Sequence, residues 1–216
     1  MMERTIRITG KAKVSTRPDQ TCLRITCTGK ETDYDQLIRR STEETGRIKQ
    51  CLMECGFDKK EIKTCNFDIE TCFENHKRNN GEWVREFSGY EYTHELKVIF
   101  SNDSRRLSKI MQAVCDSRVQ PDISITYQIS DTESVKQELL RKAVEDACGK
   151  AKVLTEAANV QLKEIVQIDY SWAEVEFSSV RMSRSTRYLS ASSLDMEIEP
   201  EDVETEDTVT VIYRIA

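Results

Sequence analysis

The sequence predicts an α+β fold in which antiparallel-rich sheets pack against helices, arranged as two βαββ-like halves joined by a short helix. Three observations carry that expectation. Apolar and polar residues alternate over several long stretches, as strands with one buried and one wet face require. Other stretches switch to a spacing of three and four, which puts a single apolar stripe on a helix. Similar runs also follow the two long helices: Gly56-Phe57-Asp58-Lys59-Lys60-Glu61-Ile62 and Asn159-Val160-Gln161-Leu162-Lys163-Glu164-Ile165.

The elements follow in order. Ile6, Ile8, Ala12 and Val14 mark a first strand, and Arg17-Pro18-Asp19 a turn. Thr21, Leu23, Ile25 and Cys27 share one face of a second strand. From Thr32 the period lengthens, and Tyr34, Leu37, Ile38, Thr45, Ile48, Cys51, Leu52 and Cys55 form a helical stripe that stops at Gly56. Cys65, Phe67, Ile69, Thr71 and Phe73 alternate as a third strand, and Asn79-Asn80-Gly81 suits a hairpin turn. The longest alternation comes next, with Tyr90, Tyr92, His94, Leu96, Val98 and Phe100 facing one way. Asn102 or Asp103 caps a short helix carrying Leu107, Ile110, Met111, Val114 and Cys115. Pro121-Asp122 opens a strand with Ile123, Ile125, Tyr127 and Ile129. Asp131 caps the longest helix, whose stripe of Val135, Leu139, Ala143, Ala147, Ala151, Leu154 and Ala158 lets it lie close to its sheet. Val166, Ile168, Tyr170 and Trp172 form the next strand, and Val209, Val211, Tyr213 and Ile215 the last. A single domain over residues 1–216 is expected, with internal halves at about 5–101 and 121–216 and a linking helix at about 103–117.

One segment fits no element. Residues 178–193 hold seven Ser and three Arg (Arg181, Arg184, Arg187) with no acid, whereas residues 195–207 hold eight acids and no base. Long loops of this kind tend to be functional or disordered. Arg181, Arg184, Arg187, Tyr188, Glu199, Glu201 and Asp202 are therefore the candidate interaction residues, with solvation of a mobile loop as the plain alternative.

Composition narrows the chemistry. Thirty-eight acids against thirty-two bases give a net charge of −6, which opposes nucleic acid and anionic lipid as partners. No apolar run approaches the roughly 20 residues of a membrane helix, and Met1–Gly10 lacks the apolar core of an export signal. A cytoplasmic location with free thiols is the expectation. The eight cysteines contain no CxxC pair, which weakens zinc and thioredoxin-type chemistry together. Cys51 and Cys55 read as packing residues on the helix stripe, and Cys65, Cys72 and His76 lack paired metal-ligand spacing. His94, between Tyr92 and Leu96, reads as a hydrogen-bonded core histidine before a catalytic base. Trp83 and Trp172 read as sheet residues. No phosphate loop, GxSxG or HExxH motif occurs. No catalytic residue, cofactor or metal site is expected.

Several of these residues match a known pattern in order: Ile8-Thr9-Gly10 with Val14 and Arg17-Pro18-Asp19, then Cys55-Gly56-Phe57 and Ile62-Lys63-Thr64. Gly89-Tyr90, the Ala143, Ala147 and Ala151 helix, and Ile198-Glu199-Pro200 complete it. From about residue 5 to 215 the chain resembles the SIMPL-domain family, bacterial proteins of largely unknown function that include an oxidative-stress-defence protein and periplasmic antigens. The resemblance implies a possible stress-related role and no agreed catalytic residues. The residues themselves point to a non-enzymatic protein that associates with itself, because hairpin-rich sheets leave edges that need partners. Two alternatives are a thiol-based redox or metal-handling protein and a small-molecule enzyme using His94.

Overall fold

The computed structural model describes residues 4–77, 83–170, 182–185 and 199–216. The expected turn at Asn79-Asn80-Gly81, and Trp172, Arg181, Arg187 and Tyr188, lie outside them. In chain order the elements are β1 (Thr5–Thr16), β2 (Gln20–Glu31), α1 (Tyr34–Glu54), β3 (Lys63–Lys77), β4 (Trp83–Ser101), α2 (Ser104–Asp116), β5 (Asp122–Gln128), α3 (Thr132–Ala157), β6 (Leu162–Asp169), β7 (Met182–Ser185) and β8 (Val203–Ile215). The fold is α+β, with two sheets of largely antiparallel strands. The chain forms two compact units.

One unit spans 20–127 with β7 and carries a five-stranded sheet in the order β3-β4-β2-β5-β7. β2 and β4 pair over their full length from Gln20↔Ser101 to Glu31↔Tyr90, so Leu23, Ile25, Cys27, Tyr92, Leu96 and Val98 share one buried face. α1 covers that face because Leu37, Ser41, Thr45, Ile48 and Leu52 recur at helical spacing and are all buried. The Asp33 carboxylate accepts from the Gln36 N–H at 2.9 Å and starts the helix. α2 starts in the same way at Asp103 and adds Leu107, Ile110, Met111 and Val114 to the core. Each fully buried aliphatic side chain contributes roughly 1.5–3 kcal/mol.

The other unit holds 4–19, 128–170 and 200–216. β8 is the middle strand of β1-β8-β6, so the first and last strands of the chain are hydrogen-bonded neighbours, from Thr5↔Arg214 to Thr16↔Val203. α3 packs on β1 and β8 through Ala143, Ala147 and Ala151, none of which is exposed. The approach is so close that a Cβ on Gly10 would lie 1.9 Å from the Ala143 carbonyl oxygen. Glycine is required there by contact, not by its dihedrals.

Three sequence expectations change. Met182–Ser185, inside the stretch 178–193 expected to fit no element, forms β7 on β5, because backbone pairing to a distant strand needs no apolar alternation. The acidic stretch 195–207 is not loop throughout: Val203–Asp207 belongs to β8, and Glu204 and Glu206 pair with Lys13 and Lys11 of β1, each at 2.6 Å. Alternation is weak there because the apolar partners are Val203 and Thr205, and Asp207 is itself buried. β6 was expected to bury one face. Among the described residues its apolar side chains are instead largely exposed, because α3 sits mainly over β1 and β8 and barely reaches β6.

Candidate functional site

β6 is the edge strand of its sheet, with β8 its partner among the described residues. Its ladder slips twice, between Leu162 and Ile165 and between Ile165 and Gln167. Ile165 and Ile168 stand opposite Tyr213 and Val211, whose side chains are buried against α3. The same phase therefore turns Ile165 and Ile168 toward the helix side, where they stay about half exposed: Ile165, Val166 and Ile168 are 44%, 44% and 51% exposed. Among the described residues, an edge position and half-exposed apolar side chains coincide on this strand.

The end of this strand borders a shallow, open depression of about 350 Å³ lined by Ile168, Asp169, Tyr170, Thr208 and Thr210. Its polar groups are already engaged. Gln167 and Arg7 both donate to Asp169, the arginine at 3.1 Å, and hold its carboxyl below the usual range. Tyr170 donates to Asp207 at 2.8 Å; burial and then this bond push its hydroxyl up to about 12. An ionised acid tied to two donors and a phenol held neutral offer recognition, not proton transfer near neutral pH.

His94 lies in the other unit. Its Nε2 is 3.2 Å from the Thr64 hydroxyl and its ring meets Phe67 edge-on at 5.0 Å. Burial, then the charge of Lys49, lowers its pKa, and Nδ1 is buried with no hydrogen-bond partner. Cys27 stands opposite His94 in the ladder, but burial pushes its thiol up to about 12. A neutral imidazole beside a neutral thiol is a packing pair, unlike the charged pair of a thiol enzyme.

The remaining cysteines are all free, and burial is also the first cause raising Cys51, Cys55 and Cys115. Cys22 and Cys27 are buried as expected of small apolar residues, whereas Cys65 is exposed like most of β3, the outer strand of its sheet among the described residues. Cys72 meets the Glu91 carboxylate at 3.6 Å. Among the described residues no three metal-ligating side chains converge.

Of the candidate interaction residues, Arg184 falls in β7 opposite Ile123. Glu199 and Glu201 are exposed, and Asp202 accepts from the Ser15 hydroxyl at 3.1 Å. Sequence reading passed over two linked groups. Tyr92 donates to Glu44, which Arg40 bridges to Glu31, and Cys148 contacts the Tyr213 hydroxyl at 2.9 Å. Neither is joined by a local motif, since Tyr92 and Glu44, and Cys148 and Tyr213, lie 48 and 65 residues apart.

Residues 6–213 match a family model described as SIMPL, a protein of unknown function (DUF541). Among curated proteins, the chain is similar to the 26 kDa periplasmic immunogenic protein of Brucella abortus (strain S19), at 21% identity over 163 residues. That match covers 76% of this chain and 65% of the relative, so the chain spans less than two thirds of the relative's length. No helix among the described residues is long and apolar enough to cross a membrane.

Proposed function

The chain belongs to the SIMPL family, and from that membership we propose that it is a non-enzymatic protein whose work is self-assembly. The observation that carries this reading is β6. Among the described residues β6 is an edge strand, and its Ile165, Val166 and Ile168, about half exposed, leave apolar surface in water. Closed association of identical chains covers edge and surface at once. Light scattering of the purified chain at micromolar concentration is expected to give the mass of a homo-oligomer, and a monomer across that range would refute the reading.

The two βαββ-like halves expected at about 5–101 and 121–216 are read as an internal duplication. The two helix ends support this. Gly56 (φ +89°) and Asn159 (φ +54°) are both left-handed. Phe57 N–H donates to Leu52 and Gly56 N–H to Met53, just as Val160 does to Thr155 and Asn159 to Glu156. A cytoplasmic location is supported by eight free cysteines, although the curated relative is described as periplasmic. Cell fractionation decides between them. The stress-related role implied by the family resemblance is tested by survival of a deletion strain under oxidant.

A further inference from the structure

β2 ends at the rung Glu31↔Tyr90, but β4 beside it and β3 beyond do not. β3 and β4 run on as a two-stranded ribbon through Cys72↔Gly89, Phe73↔Phe87, Asn75↔Arg85 and Lys77↔Trp83. The departure is built in. Gly89 has φ +128° and lies at a bulge between Cys72 and Phe73, and a Cβ there would come within 2.4 Å of the Glu31 carbonyl oxygen. A ribbon of two strands is only marginally stable alone in water.

This ribbon and its base carry a chain of aromatic rings. Tyr34 meets Tyr90 at 5.5 Å, Tyr90 meets Phe87 at 5.2 Å, and Phe87 meets Phe73 at 6.2 Å, all edge-on. Tyr34, Phe73, Phe87 and Trp83 remain 48%, 46%, 50% and 67% exposed. At roughly 150–250 Å² for a fully buried ring, they leave about 300–500 Å² of aromatic surface in water. That is about half of the roughly 800 Å² each partner contributes to a stable interface, which matches the apolar share of such interfaces.

Charge along the stripe is polarised. Arg85 stacks 4.3 Å over the Phe73 ring and Lys77 lies 6.0 Å from Trp83, so the outer end of the ring-bearing face is basic, while the Glu74↔Glu86 rung alternates to the opposite face. At the base, Tyr34 is flanked by Asp33 and Asp35. A surface basic at one end and acidic at the other is complementary to itself once turned end for end. An anionic lipid surface or a nucleic acid would gain at the outer end and be repelled at the base. We propose that the β3–β4 ribbon docks antiparallel on the same ribbon of a second copy, ring stripe against ring stripe, with Arg85 and Lys77 facing the partner copy's acidic base. This rests on the self-assembly reading and adds to it a contact surface distinct from the β6 edge.

The test uses full-length chains in sedimentation velocity over a concentration series. Two variants, K77E/R85E and Asp35→Arg, are each expected to weaken association at least about tenfold, since each places like charges together. Their mixture is expected to recover the wild-type mass. Wild-type melting curves in both variants establish that each is folded, and Phe87→Ser serves as an independent, uncharged disruption. A monomeric wild type overturns this proposal and the self-assembly reading together. Variants that keep the wild-type mass, or a mixture that fails to recover it, overturn the ribbon pairing alone. Monomeric protein that sediments with phosphatidylcholine–phosphatidylserine vesicles and loses this in Phe87→Ser overturns it in favour of a lipid surface.

Discussion

His94 illustrates how one residue is decided by its surroundings. Burial and Lys49 favour its neutral form, so its pKa lies below the ordinary 6.5 in the folded chain. Stability linked to it is therefore present above pH 6.5 and lost as the pH falls below that value. His94→Leu also removes a buried nitrogen that lacks a partner. The melting temperature of the variant relative to wild type is expected to rise as pH drops from 8 to 5, and an equal offset at both pH values would contradict this. Asp19 behaves in the opposite chemical sense with the same sign. The Ser130 hydroxyl and N–H both donate to it and lower its pKa from 3.8, so its contribution disappears as pH falls through the carboxylate range. Asp19→Ala is expected to cost only about 0.5–1 kcal/mol by denaturant titration at pH 7, because the pair is exposed.

At the scale of elements, α3 and β1 depend on one close approach. Gly10→Ala would place a methyl carbon against the Ala143 carbonyl and the Ala147 Cβ, which would lie 2.8 Å away. Rigid backbone on one side and a packed alanine on the other leave little room to yield. A loss at the upper end of the roughly 1–3 kcal/mol typical of overpacking is expected, read as a lower denaturant midpoint. A change within about 0.5 kcal/mol would show that the helix can shift. The four-residue alanine spacing was legible in sequence, and so was its meaning as a close helix–sheet contact. Its counterpart at Gly10 was not, since a single glycine in a strand has several causes. Asp131 was read as the α3 cap, and the α2 cap was narrowed to Asn102 or Asp103, of which Asp103 fills the role, because the residue type and its place before an apolar stripe define the role locally. Asp33 caps α1 in the same way, although the change of period alone had set that helix's start near Thr32.

Across the molecule, thiol accessibility joins the two scales. Cys65 is expected to react first with a disulfide reagent in the native chain, and Cys22 and Cys27 only on unfolding, in a stopped-flow titration counted against denatured protein. Rapid reaction of all eight would contradict the burial described above. The order of the elements other than β7, the cap of α3 and the inward faces of β2, β4, β5 and β8 were determined by the sequence itself, because period and capping chemistry act over a few residues. Strand partnership was decided only by tertiary structure. β1 joins β8 almost two hundred residues away, β5 and β7 extend the sheet of β2, and α3 covers two strands of its sheet while barely reaching β6. A strand's alternation says which of its faces is apolar, but whether a helix lies across that face depends on where distant elements pack. For that reason the exposed edge at Ile165–Ile168 and the ring stripe of the ribbon appear only in three dimensions.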